Sequence, residues 1–114
     1  MSTFSTRVLA IVTLQSGDVM DLSLAVDIGE HNKLDVVVHV STPGEGESPI
    51  LHLEHAASNE EGAYVPFETP MEVDLSTEGR SWFHADRFTR WLTWRLSGTL
   101  TSGAVVTLDL VARR

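Results

Sequence analysis

Five histidines are the first residues to consider, because imidazole ligates metals and titrates near neutral pH. His39 and His52 each fall on the polar side of an alternating run, with Glu54 two residues beyond His52. If the two runs pair, His39 and His52 become outward neighbours. Two imidazoles beside a carboxylate would then suit zinc or nickel, or a pH-sensitive contact. The spacing matches no known ligand motif, so a solvated polar pair is the plainer expectation. Glu45 and Glu47 flank Gly46, and Glu60-Glu61 precede Gly62, which reads as solvated turns. No Gly-x-Ser-x-Gly elbow, phosphate-cradling glycine loop or His-Glu-x-x-His run occurs. We therefore expect no catalytic residue and no cofactor. The aromatic residues are a stronger lead. Trp82, Phe83, Phe88, Trp91 and Trp94 fall within 13 residues, interleaved with Arg87 and Arg90 and flanked by Arg80 and Arg95. Trp82, Arg90, Trp91 and Arg95 are the expected contact surface, for protein or for stacked sugar. The alternative is that Trp91 tucks beneath a loop at one end of the fold.

These residues sit in a chain of 114 residues with a formal charge of −8. That length predicts one domain over 1–114. The acidity argues against nucleic acid, whose phosphates need a basic face. Cysteine is absent, which excludes disulfides, thiolate nucleophiles and cysteine metal sites. No run reaches the ~18 apolar residues of a membrane helix, and the short apolar stretch Val8–Val12 is too brief for a secretory leader. The expectation is synthesis and residence in the cytoplasm, with no membrane partner. The charge is uneven. Residues 18–78 hold 14 acids and a single Lys33, whereas residues 79–114 hold six arginines and two acids. An acidic end and an arginine-rich end would suit packing of identical subunits.

The elements that must carry these side chains follow a period of two. Leu34, Val36, Val38 and Val40 alternate with Asp35, Val37, His39 and Ser41. Similar alternation runs through Met20–Val26, Leu51–His55 and Val105–Leu110. Such half-buried strands belong to antiparallel sheets. Turn clusters at 16–18, 29–32, 41–49, 58–62, 77–79 and 98–103 divide them. Residues 90–97 read as a strand, and Asp86 predicts a short helical turn near 86–89. The predicted fold is an all-β, antiparallel, jelly-roll-like β-sandwich of about eight strands. Matching apolar faces across the 42–49 loop predicts a hairpin with Val40 opposite Leu51 and His39 opposite His52. The same logic places Leu96 opposite Val106 and Arg95 diagonal to Asp109.

Three stretches also carry a resemblance: Val26–Val38, Ile50–Asn59, and Phe88–Thr99 with its sequel Val105–Leu110. Together they resemble small β-sandwich proteins of phage and prophage head gene clusters, over residues 26–112. Glu61-Gly62-Ala63-Tyr64 departs from the Asp-Gly-x-x-Trp hairpin common there. The resemblance implies a capsid-associated accessory subunit without catalysis, associated with the virion and binding itself or a shell protein. A jelly-roll carbohydrate-binding module is the alternative, with Trp91 or Trp82 stacking on sugar and Arg95 or Glu54 hydrogen-bonding. A small protein binding metal or ligand through His39 and His52 is the second alternative.

Overall fold

The computed structural model describes residues 3–114 and contains eight strands. They are β1 (Thr3–Leu14), β2 (Val26–Asp27), β3 (Lys33–Thr42), β4 (Ile50–Ala56), β5 (Val65–Asp74), β6 (Gly79–Ala85), β7 (Trp91–Ser97) and β8 (Ala104–Arg113). Two four-stranded antiparallel sheets form, in the orders β1-β8-β3-β6 and β2-β7-β4-β5. This interleaving is the jelly-roll arrangement of a β-sandwich. Between the sheets, Leu34, Val36, Val38, Leu108 and Leu110 of the first meet Leu51, Leu53, Met71 and Leu92 of the second, all essentially inaccessible to water. Burying each such side chain stabilises the fold by about 1.5–3 kcal/mol.

The alternation assigns faces correctly in Leu34–Val40, Leu51–His55 and Val105–Leu110 but not in Met20–Val26, where Leu24 is exposed, and the expected partners are wrong. β3 pairs with β6 and β8, not with β4. β7 pairs with β4 and β2, not with β8. Among the described residues, β4 and β5 are the only strands consecutive in sequence that share a ladder. The 42–49 loop and the 98–103 loop instead cross from one sheet to the other. A core face is equally satisfied by any strand with the same inward set, so matching apolar faces cannot distinguish a hairpin from a crossover.

Two local expectations also fail. Residues 86–89 form no helical turn; they are an irregular crossing from β6 to β7 that begins on a bend at Asp86. Its end is fastened by Arg90 N–H donating to Ala56 O and Ile28 N–H donating to Arg90 O. Asp86 caps no helix; its carboxylate lies 2.8 Å from His84 Nε2. The helical turn lies earlier, a 3-10 turn at Leu22–Leu24, within a stretch that alternates like a strand. Asp21 there accepts from Ser23 N–H, a local bond that competes with strand pairing.

Two edges of the sandwich carry features that discourage strand addition. Edge strand β5 contains Pro66 and Pro70, and its register with β4 breaks between Leu53 and Glu54. Edge strand β1 is bulged twice, and Ile11 within the bulge has φ of 54°. That left-handed conformation is costly for a β-branched residue and bends the edge away from a flat template.

Candidate interaction surface

The outward face of the first sheet is built by four strands in register. β6 contributes Arg80, Trp82 and His84 outward, and these stand beside His39, Val37 and Asp35 of β3. Across β3, Val37 and Asp35 stand beside Asp109 and Val111 of β8. Trp82 is 67% exposed and its neighbour Val37 37% exposed, so an indole and an isopropyl group lie open to solvent side by side. Ion pairs border them. Arg7 Nε donates to Asp109 Oδ1 at 2.8 Å. Arg113 donates to Asp35, which also accepts from His84 Nδ1 at 2.8 Å.

His84 is held between carboxylates, with its Nε2 2.8 Å from Asp86 Oδ1. Both ring nitrogens lie within hydrogen-bond distance of carboxylate oxygens, an arrangement that favours the doubly protonated ring. Hydrogen bonding to Asp35, then to Asp86, raises its pKa above the ordinary 6.5. The folded value exceeds the unfolded one. The contribution is therefore complete below the unfolded pKa and is lost as pH rises through the folded value. His52 and His55 are displaced the other way, chiefly because burial disfavours their charged forms. The stability that they contribute as neutral rings is present above 6.5 and is lost as pH falls through their lowered values. In an NMR titration of the imidazole C–H signals, we expect His84 to protonate first as pH falls, above 6.5. His52 and His55 should follow below 6.5. Coincident midpoints would contradict these surroundings.

The outward face of the second sheet is different. Arg95 Nε lies 3.2 Å from Glu54 Oε2, so Arg95 answers Glu54, while Asp109 belongs to Arg7. Glu54 and Thr93 point outward by register yet are buried. The segment before β2 folds against them, with Thr93 Oγ1 3.1 Å from Met20 Sδ. Asn59 Nδ2 donates to Leu22 O, and Tyr64 donates to Asn59, which ties that segment to the β4–β5 loop. Glu72 and Asp74 of β5 stay exposed at the far side. The pair expected between His39 and His52 does not exist. His39 lies on the first sheet between Arg80 and Thr107, and His52 lies on the second between Glu72 and Arg95. Crossing of the 42–49 loop between sheets separates them, and the metal or paired-switch role loses its geometric basis. Among the described residues no cluster of three His, Asp or Glu has metal-site geometry.

The four residues expected to share a contact surface divide between the sheets. Trp82 belongs to the first. Arg90, Trp91 and Arg95 lie on or beside β7 in the second. Arg90 is occupied by Asp27, with Nη2 3.0 Å from Oδ2, and its guanidinium stands 5.4 Å from the Trp91 ring centroid. Trp91 is half-buried by this partner and by its place between Asp27 and Ala56. The expectation that Trp91 tucks in at one end is thus closer than exposure. His55, on the core face, stacks on Phe67 at 4.6 Å and accepts from Thr89 N–H at 3.0 Å. It is a satisfied histidine, as its inward register suggests. The His84–Asp35–Arg113 group and the Trp82–Val37 pair were missed in sequence. The alternation of Arg80, Trp82 and His84 with Ser81, Phe83 and Ala85 was the available signal.

No protein-family model matches the sequence, and no curated protein matches it. Similarity appears in fold. A cleaved adhesin domain of Lys-gingipain superposes with a TM-score of 0.54 at 14% identity, covering 77% of this chain and 60% of that one. This chain therefore spans about three fifths of the gingipain domain. A protein of the disulfide-linked pili that form Bacillus endospore appendages superposes with a TM-score of 0.53 at 13% identity, covering 98% and 88%. Both likenesses establish a shared β-sandwich. No helix among the described residues is long and apolar enough to cross a membrane.

Proposed function

We propose that this protein is a non-enzymatic structural subunit that binds copies of itself or a larger protein assembly. One observation carries the reading. Trp82, on edge strand β6, stands exposed beside Val37 of β3, on a sheet face that also carries fixed ion pairs. An open aromatic anchor beside polar, pre-organised ion pairs is the composition of a protein contact. That similar sandwiches occur in an adhesin and in a pilus supports a role in contact between proteins. The disulfide links of those pili have no counterpart here, because this chain has no cysteine. A capsid-associated role is the specific form of the proposal that the sequence resemblance favours. Size fractionation of a lysate from the source cells tests the general reading. The protein is expected in fractions far above its 12.5 kDa. Migration at monomer size throughout would overturn it.

Sugar binding is the second reading, and the exposed Trp82 ring favours it. Arg95 and Glu54 lie on the opposite sheet and pair with each other, so they do not serve a sugar stacked on Trp82. A glycan array should show Trp82-dependent binding if this reading holds, and silence across the array would remove it.

A further inference from the structure

The two outward faces differ in the charge that they leave unanswered. On the first, Asp35 and Asp109 are both neutralised by arginines. Among the described residues, Arg80 beside Trp82 and Lys33 at the end of β3 have no ion-pair partner. On the second, Asp27 and Glu54 are neutralised by arginines, while Glu72 and Asp74 are not. Asp74 accepts only from Ser76 and Thr77. The nearest basic group to Glu72 is His52 Nδ1, 3.8 Å away. Burial of that ring, with Arg95 nearby, lowers its pKa and disfavours its charged form. The second face also offers Ile50, half-buried and cross-strand from Asp74.

Apposing the first face with itself would bring together two faces whose unanswered charges, Arg80 and Lys33, are both basic. Apposing the second with itself would oppose Glu72 and Asp74. Both arrangements bring unanswered charges of like sign together, whereas first face against second brings opposite signs together. The faces belong to the two sheets of one sandwich and therefore point in opposite directions. A contact between unlike patches on opposite sides leaves a free patch at each end and does not close as a two-fold dimer.

We propose that the outward face of the first sheet, anchored by Trp82 and Arg80, docks on the Glu72–Asp74 side of the second sheet of another copy, so that copies add head to tail. This inference rests on the structural-subunit reading and names its partner as the chain itself. Trp82 supplies the apolar anchor, and the charges set orientation and encounter rate.

Sedimentation of the purified chain over a concentration series, at low and at high salt, tests it. Mass should grow past the dimer with concentration, and salt should reverse the growth. Trp82→Ala disables the first face, and Glu72→Lys disables the second. Both positions are exposed, and circular dichroism checks that each variant stays folded. Each alone should weaken association roughly tenfold or more. Mixed together, they retain one intact face each and should give a 1:1 dimer that grows no further. Growth that stops at the dimer in the unsubstituted chain would overturn head-to-tail addition, and so would association indifferent to both variants. A purified chain that stays monomeric at low salt also overturns it. If the same protein still fractionates at high mass in lysate, the subunit reading survives that failure, because the partner is then a different protein.

Discussion

Val38→Asp unfolds the protein under conditions in which Val37→Asp leaves it folded. The two positions are adjacent in the central strand β3, yet Val38 is 0% exposed and packs between Ser81 and Leu108. A carboxylate there loses its hydration with no cation within the core to answer it, at a cost of several kcal/mol. The lost burial of the valine adds about 1.5–3 kcal/mol. Together these consume most of the stability of a small domain, which is on the order of 5–15 kcal/mol. Val37 faces solvent on the other side of the same strand. An aspartate there keeps its water and suffers only the cross-strand proximity of Asp109, which Arg7 already neutralises. A loss of about 1 kcal/mol or less is expected. Urea unfolding of both variants checks the contrast. Equal midpoints would mean that the outward face of β3 is covered.

Gly98→Ala is expected to cost about 3 kcal/mol or more, for a reason that lies in two loops at once. The crossing loops after β3 and β7 are laced together. Thr99 N–H donates to Glu47 O at 3.0 Å, Thr101 N–H to Glu45 O at 2.6 Å, and Glu45 N–H to Ser102 O at 3.2 Å. Gly98 has φ of 75°, and a Cβ there would meet Ser48 O at 2.0 Å and Glu47 O at 2.4 Å. Backbone carbonyls cannot swing aside as a flexible side chain can, so the lacing itself must open. Gly17→Ala is the matched control. Its φ is 87°, but nothing lies within 4 Å of the added methyl. It should lose only the roughly 1–2 kcal/mol of a left-handed L-residue. Thermal melts of the two variants separate the costs. Equal losses would place the loops further apart than described.

These two predictions differ in how far sequence reaches. The contrast between Val37 and Val38 is readable from the alternation of β3, because a strand buried on one side must segregate its side chains. The Gly98 clash is not readable, because its partners are fifty residues away and meet it only when two crossover loops lie side by side. The candidate surface divides in the same way. That Trp82 points outward follows from the alternation of β6. That Val37 stands next to it, and that Asp35 joins Arg113 to His84, depends on β3 lying between β6 and β8. The alternative of a metal site at His39 and His52 lost its basis at that point, since it required β3 beside β4.

By itself, the sequence determined the class of fold, the number of strands, the inward and outward sides of most of them, and the exclusion of thiol chemistry. It also carried the charge imbalance, but as an acidic stretch followed by a basic one. Tertiary structure redistributed that charge. β3, from the acidic stretch, is inserted between β6 and β8, from the basic one, and the imbalance emerges sheet by sheet. The physical reason is that side-chain periodicity is a local property, imposed by the pleat of each strand. Strand order is a global one, settled by which of several compatible apolar faces close the core together.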